Sequence, residues 1–255
     1  METLSQTILV CRRILLENFR QRRGIIFWAV FPVLMLLVFG AMYQSSTALG
    51  GNFDKTPAGI LIGAALFFSC LGGTVSILVA EREHRTLRRL LISPLRPLSY
   101  FLGVVLALLV VALGQSILVF GLGWLMGAHF YGNWGVGLLI VILSVFSYVG
   151  IGFFFGSRFA KRTEDVNGPV AAFGVPLLVL GGTFFPPEQL PSYLLTITKF
   201  NPIYHMNQAL KAVAATPSGE ANISFSLGFL LVFALLSLIL GAASYHQLLK
   251  TEKSS

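Results

Sequence analysis

Long uncharged stretches alternate with short clusters of charge along this chain. A stretch of about 20 apolar residues is long enough to cross the hydrocarbon core of a bilayer as an α-helix. The segments are continuously apolar rather than alternating with a period of two, which favours helices over the strands of a barrel. The pattern predicts six membrane-spanning helices at residues 25–43, 58–80, 100–125, 134–155, 168–185 and 223–245.

Residues 97–157 contain no Asp, Glu, Lys or Arg, and this stretch is too long for a single crossing. Its middle, residues 127–135, is rich in glycine and in aromatic residues that favour the membrane–water interface. We therefore predict a tight hairpin between the third and fourth helices.

The segment 81–97 between the second and third predicted helices combines charge with an apolar stripe. Leu87, Leu90 and Leu91 have the spacing of one helical face, arginines surround that face, and two prolines follow. This pattern predicts a short amphipathic helix on the membrane surface, with both signs of charge at its start. The alternative is a basic loop that only sets the topology.

A second unusual segment, residues 186–222, precedes the last predicted helix. Residues 192–200 have a helical pattern but are far too few to cross a bilayer. Asn201 and Pro202 form a good N-cap and first-turn pair for a second short helix that continues to about Ala214. We predict a re-entrant or membrane-resting pair of short helices on the outer side.

The first residues, 1–23, also carry a helical pattern. Arginines lie outside the apolar stripe, and the segment is too long and too charged for a secretory signal peptide. We predict an amphipathic helix in the cytoplasmic interface, the alternative being a solvated basic leader. The residues of the stripe are Leu4, Ile8, Cys11, Leu15 and Phe19.

Composition agrees with a membrane protein. Of the 255 residues, 55% are hydrophobic and 11% are charged, whereas a soluble domain carries about 25% charged residues. Fifteen of the 18 Lys and Arg residues lie on one side of the predicted helices. The positive-inside rule then places both termini in the cytoplasm, and the net charge of +8 reflects topology rather than nucleic-acid binding. We expect residues 1–255 to form one transmembrane domain.

Sequence motifs for catalysis are missing from the chain. There is no G-x-x-x-x-G-K-[ST] loop for phosphate, and neither metal-ligand pairs nor a catalytic triad motif occur, so we expect no catalytic, cofactor or metal site. The predicted helices hold no charged residue, which disfavours an ion-coupled secondary carrier. Gln115 and Ser116 in the third helix are candidates for a substrate path, the alternative being packing between helices.

Two runs of residues resemble a known family. The first begins Glu81-Arg82-Glu83 and continues through Thr86-Leu87 to Leu90-Leu91 and Ser93-Pro94. The second comprises Phe185-Pro186, Leu190-Pro191 and Asn201-Pro202-Ile203-Tyr204-His205. Their order and spacing resemble the membrane permease of type-2 ABC transporters, most closely the branch that includes daunorubicin-resistance exporters. Lys211 stands where that family commonly has Arg or Gln.

The resemblance implies a multi-pass permease of the cell inner membrane, in contact with membrane lipid. It implies two copies of a separate P-loop ATPase subunit and a second permease, either the same chain or a related one. The substrate would be hydrophobic or amphipathic, drug-like or lipid-like, and exported from the cytoplasm or inner leaflet. The alternatives are a permease for polysaccharide or lipid-linked glycan and a membrane scaffold without transport. The resemblance assigns ATPase coupling to Glu81, Arg82, Glu83, His84, Arg85, Thr86, Leu87 and Arg88.

Overall fold

A computed structural model describes residues 2–20, 22–45, 53–84, 86, 95–159, 164–184, 186–187, 190–216 and 223–254. Over these ranges the chain forms helices joined by turns and contains no strand, which confirms the all-α prediction. The helices are α1 (Glu2–Arg20), α2 (Arg22–Ser45), α3 (Phe53–Glu83), α4 (Pro97–Leu125), α5 (Trp134–Arg158), α6 (Glu164–Leu180), α7 (Ser192–Thr198), α8 (Pro202–Ala215) and α9 (Ser224–Ser254).

Four helices in the described part are long and apolar enough to cross a membrane: α3, α4, α5 and most of α9. They correspond to the second, third, fourth and sixth predicted helices. The first predicted helix falls in α2, whose apolar portion Trp28–Met42 is shorter, and the fifth falls in α6. The count of six spans therefore stays a prediction.

Helix α3 is the centre of the bundle, with 72% of its most apolar window buried against 22% for α9. Glycines allow its neighbours to approach closely, as is common between membrane helices. A Cβ atom on Gly152 of α5 would lie 2.6 Å from Thr74 Cβ of α3. On α5, Gly150 faces α9 instead, where Gly241 lies so close that a Cβ there would be 2.5 Å from the Gly150 carbonyl oxygen.

The middle of α3 is not a regular α-helix. Residues Leu61–Gly72 have the wider hydrogen-bonding pattern of a π-helix, which in most proteins is limited to a single turn. The Tyr148 hydroxyl of α5 donates to the Ile62 carbonyl oxygen at 3.1 Å. The sequence predicted an ordinary helix here, because a nearly continuous apolar run has no polar positions from which a change of period can be read.

Helix α1 packs along α4. A Cβ atom on Gly103 would lie 2.6 Å from Val10 Cβ, so the missing side chain is what allows this contact. Near the start of α4 the Gln6 side-chain oxygen accepts from the Arg96 backbone N–H at 3.2 Å. Within the predicted stripe of α1, Cys11 is buried while Leu4 is 69% exposed. The face of α1 that packs on α4 therefore lies beside the predicted apolar stripe and shares Cys11 with it.

The predicted hairpin is present between α4 and α5. Helix α4 ends at Leu125, and Gly127 has a positive φ of 95°, a conformation that favours glycine. The Asn133 side chain accepts from the Gly135 and Val136 backbone N–H groups and caps the first turn of α5. The turn residues identified in the sequence therefore end one helix and start the next.

The segment 81–97 begins differently from the prediction. Helix α3 continues through Glu83, so the first acidic–basic residues form its last turn instead of opening a separate helix. The burial of Glu81 against α1 explains this continuation, as described below. Most of the predicted amphipathic helix, including Arg85, Leu87 and Arg88, lies outside the described residues.

Candidate functional site

A buried ion pair joins α1 to the end of α3. The Arg13 Nη2 atom lies 2.8 Å from Glu81 Oε1, and the Arg13 Nε atom lies 2.9 Å from Glu17 Oε1 one helical turn along α1. Glu81 is 6% exposed, whereas the Arg13 side chain is 38% exposed. The guanidinium group thus neutralises a carboxylate that has almost no access to water.

The pKa of Arg13 reflects this position. Burial acts to lower the pKa, but the hydrogen bond to Glu17 and the charge of Glu81 outweigh that effect and leave the pKa raised. Arg13 therefore stays charged at any pH at which the protein is folded. A buried carboxylate with such a fixed cationic partner is a stable link between two helices, and loss of one partner is costly.

Aromatic residues lie close to Glu81, the buried member of the ion pair. The ring centroids of Tyr100 on α4 and Tyr245 on α9 lie 5.4 Å apart in a stacked arrangement. Phe153 of α5 packs edge-on against Tyr245 at 5.5 Å. Both the Tyr100 hydroxyl and Glu81 Oε2 are buried, and among the described residues neither has a hydrogen-bond partner. Low polarity here strengthens the attraction between Arg13 and Glu81.

The residues after Glu81 turn toward the surface. Glu83 and His84 are exposed, and α3 ends at this point. The Thr86 hydroxyl donates to the Glu81 backbone carbonyl oxygen at 3.1 Å and closes the turn. Of the eight candidate coupling residues, Glu81 is therefore an internal anchor, while Glu83 and His84 belong to a surface that this anchor holds in place.

The two candidate substrate-path residues make contacts inside the bundle. The Gln115 side-chain amide donates from Nε2 to the Trp28 carbonyl oxygen of α2 at 3.1 Å and accepts at Oε1 from the Ser69 hydroxyl of α3 at 2.8 Å. The Ser116 hydroxyl donates to the Ala112 carbonyl oxygen of its own helix at 2.8 Å. Their assignment to a substrate path stays a prediction.

Side chains of the segment 201–211 cap the last turn of α6 and the turn that follows it. The final carbonyl groups of any helix lack a partner within that helix. Three side chains donate to carbonyl groups here. Asn201 Nδ2 donates to the Leu177 oxygen at 2.7 Å, Asn207 Nδ2 donates to the Gly181 oxygen at 2.9 Å, and the Lys211 ammonium group donates to the Gly182 oxygen. The segment 201–211 therefore has a local structural role.

Lys211, the residue that departs from the family pattern in the sequence, lies beside the carboxyl end of α6. Its positive charge is favourable beside the carboxyl end of a helix. Gly59 of α3 packs against it, since a Cβ atom there would lie 2.8 Å from Lys211 Cε and 2.7 Å from the Thr183 carbonyl oxygen. Lys, Arg and Gln can each donate to a carbonyl group, so this capping role does not need a planar bidentate group.

His205 connects the segment 201–211 to α9. Its Nε2 atom lies 2.9 Å from the Lys199 carbonyl oxygen, an acceptor, so Nε2 carries a proton. The imidazole ring lies 4.1 Å from the ring of Phe229. These contacts make His205 a packing residue between α8 and α9 in this arrangement.

The roles of Arg13, Trp28 and Asn207 were not predicted from the sequence. Each of these residues forms a hydrogen bond with a residue more than 20 positions away in the chain. A carboxylate directly after an apolar run was the one available signal for Arg13, because a buried Glu needs a cation. No comparable signal pointed to the Trp28 carbonyl group, which belongs to the backbone.

The sequence of this chain matches the model of a known protein family. The model of a family described as ABC-2 family transporter protein matches residues 52–243, about three quarters of the chain. The chain belongs to this family. The match includes the end of α3, the segment that follows it, and the outer segment with α7 and α8.

Individual relatives agree with this assignment. The chain is 31% identical over 134 residues to a protein of Escherichia coli K12 named probable multidrug ABC transporter permease YbhR. It is 28% identical over 148 residues to inner membrane transport permease YhhJ of the same organism. These alignments cover 52% and 57% of this chain. The matched parts are 36% and 39% of the relatives' own length.

Membership of the ABC-2 transporter family confirms the predicted resemblance to type-2 ABC permeases. It also confirms that the chain is of a membrane-subunit type rather than an enzyme, since ATP is hydrolysed by a separate subunit in this family. Together with the four long apolar helices, it identifies a multi-pass membrane protein. The closer likeness to the daunorubicin-resistance branch stays a prediction.

Proposed function

We propose that this chain is the membrane-spanning subunit of an ATP-driven exporter that moves a hydrophobic or amphipathic substrate out of the cytoplasm or the inner leaflet. Two copies of an ABC ATPase subunit supply the energy, and a second permease completes the substrate path. Support comes from the ABC-2 family match and from a relative named as a probable multidrug permease. The interior surfaces of the described helices are mainly apolar, which suits such a substrate.

The observation that carries this proposal is the Arg13–Glu81 ion pair. An ATPase that pushes on the segment 81–97 applies force next to Glu81, at the base of the central helix α3. Because Glu81 is bound to α1, the force reaches α1 and α3 together instead of bending a loose loop. The Thr86 hydroxyl bond to the Glu81 carbonyl group stiffens the same turn.

The proposed docking surface consists of the residues that follow this anchor. Glu83 and His84 are exposed and Arg82 and Thr86 are half-buried. The remaining candidates Arg85, Leu87 and Arg88 complete it in our proposal. Acidic and basic residues side by side favour a partner with complementary charges over a bare membrane surface.

In the proposed arrangement the chain crosses the membrane six times, with α1 in the cytoplasmic interface and both termini in the cytoplasm. The exposed apolar residues Leu4, Ile8 and Phe19 of α1 would rest on the lipid. Helices α7 and α8 would form a re-entrant element at the outer end. The asymmetry of Lys and Arg between the two sides supports this orientation.

A charge-reversal experiment tests the docking surface. We expect Glu83→Arg to reduce co-purification with the ATPase subunit by tenfold or more, because an unpaired charge at an interface costs about 2–5 kcal/mol. The matched control is Lys250→Glu, which reverses an exposed charge at the far end of α9. Amounts of permease in the membrane should be equal in both variants.

ATP hydrolysis provides the second measurement. The chain purified alone should show none above background, whereas the complex with its ATPase should hydrolyse ATP and contain two permeases per particle by electron microscopy. Full complex formation and full transport by Glu83→Arg would contradict the docking surface. Hydrolysis by the isolated chain would contradict the whole proposal.

A further inference from the structure

Helix α2 contains a proline in its interior. Pro32 has no backbone N–H, so the carbonyl group four residues earlier, that of Trp28, cannot form its usual helical hydrogen bond. Proline at this place also pushes against that carbonyl group and bends the helix. Pro32 is buried within the bundle. An unpaired carbonyl group in the interior of the protein would be costly, because burial removes the water that could bind it.

A side chain of α4 supplies the missing donor. Gln115 Nε2 lies 3.1 Å from the Trp28 carbonyl oxygen, and Gln115 itself is 7% exposed. Since a carbonyl oxygen can only accept, the amide nitrogen must point toward Trp28 and the amide oxygen away from it. The orientation of the side chain is therefore set by the gap that Pro32 leaves.

The other end of the Gln115 amide reaches α3. The Ser69 hydroxyl lies 2.8 Å from Gln115 Oε1 and 2.7 Å from the Ala65 carbonyl oxygen, so its one proton is shared between two acceptors. Ser69 is 1% exposed and lies in the π-helical stretch Leu61–Gly72. The break in α2, the irregular part of α3 and the Gln115 amide thus meet at one point.

We propose that Gln115 is the latch of a hinge in α2 at Pro32. Its amide replaces the hydrogen bond that the proline removes and ties the two irregular helices, α2 and α3, to the regular helix α4. With the latch closed the two halves of α2 move as one. With the latch open the outer half, beyond Pro32, can tilt without breaking a further backbone bond. This role belongs to the fold of the chain and does not depend on the proposed transport function.

A double-mutant cycle tests the latch specifically. Pro32→Ala restores the backbone N–H, which can then pair with the Trp28 carbonyl group inside α2 and make the Gln115 donor unnecessary. Gln115→Met keeps the length and shape of the side chain but removes both hydrogen bonds. The wild type, the two single variants and the double variant are compared by thermal unfolding in one detergent.

We expect Gln115→Met to lower the melting temperature by about 5 °C when Pro32 is present. In the Pro32→Ala background the same change should cost less than half as much. Ser69→Ala serves as the control, because it removes the other end of the bridge and should cost the same in both backgrounds.

Hydrogen exchange reports on the hinge itself. Peptides from α2 should exchange faster in Gln115→Met than in the wild type, and at the wild-type rate in the double variant. Peptides from α9, which lies outside the bridge, should not change.

Equal costs of Gln115→Met in both backgrounds, or no cost in either, would overturn the proposal. Unchanged exchange in α2 would overturn the hinge. If Gln115→Met cannot be recovered from membranes, recovery of the double variant supports the latch. Failure to recover either variant means that the need for Gln115 does not come from Pro32, and the proposal is then wrong.

Discussion

Substitution of Arg13 and substitution of Glu81 should destabilise the protein to different extents. Arg13→Met strands a carboxylate that is 6% exposed, whereas Glu81→Gln leaves Arg13 with Glu17 and with access to water. We therefore expect Arg13→Met to lower the free energy of unfolding by about 3 kcal/mol and Glu81→Gln by about 1 kcal/mol. The midpoint of thermal unfolding in a single detergent measures both changes.

The control for this pair is Glu17→Gln. Glu17 is exposed and one turn from Arg13, so its removal should change stability by less than about 0.5 kcal/mol. In the combination of Arg13→Met with Glu81→Gln, most of the cost of Arg13→Met should disappear. Equal losses for Arg13→Met and Glu81→Gln would mean that the stranded carboxylate is not the cause.

Single residues were predictable where their partners are close in sequence. Asn201 was identified as an N-cap, and its side chain accepts from the Ile203 backbone N–H at 3.0 Å, two residues away. The partners of Glu81 and Gln115 are 68 and 87 residues away. Such pairs depend on how the helices pack, and local spacing contains no information about that.

Among the elements, α5 and α9 pack closely because Gly150 and Gly241 have no side chains. We expect Gly150→Ala to lower the free energy of unfolding by about 1–3 kcal/mol, because the new methyl group would lie 2.5 Å from the Ser237 carbonyl oxygen and would force the helices apart. Thermal unfolding, together with the yield of folded protein after gel filtration, measures the effect.

A matched glycine distinguishes packing from helix propensity. No atom lies within 4 Å of a Cβ built on Gly114 of α4, so Gly114→Ala should leave stability unchanged or raise it by up to about 1 kcal/mol. Comparable losses at Gly114 and Gly150 would contradict the packing explanation.

Local sequence predicted roughly where helices begin, but it did not predict the π-helical stretch inside α3. The helix predicted from Trp134 begins there, with Asn133 as its N-cap, whereas the helix predicted from Tyr100 begins earlier, at Pro97. The π-helical stretch of α3 contacts distant parts of the chain, as in the bond from the Tyr148 hydroxyl to the Ile62 carbonyl group, 86 residues away. An apolar run of residues indicates that a helix forms, but it does not determine the hydrogen-bonding pattern of that helix.

For the whole molecule, the predicted orientation can be tested by labelling single cysteines. In intact cells a membrane-impermeant maleimide should label Lys199→Cys, between α7 and α8, and should not label Lys250→Cys, near the end of α9. Both positions are exposed. Permeabilised cells should label both variants, which shows that each cysteine is accessible.

The two native cysteines provide a low background for this experiment. Cys11 and Cys70 are both buried. Burial also raises the pKa of the Cys11 thiol, so little reactive thiolate is present at neutral pH. Labelling of Lys250→Cys in intact cells, with Lys199→Cys protected, would reverse the orientation and with it the position of the docking surface.

The contacts of α1 also have a consequence for synthesis. Arg13 is synthesised 68 residues before its partner Glu81, and Gln6 is synthesised 90 residues before its partner Arg96. At a translation rate of about 5–20 residues per second, this delay is roughly 3–18 s. During that time the face of α1 that will meet α4 has no protein partner, and the membrane surface is the one apolar environment at hand. A ribosome that pauses before α4 therefore leaves a chain in which α1 is complete and the helix on which it packs does not yet exist, and we expect such a chain to be prone to aggregation.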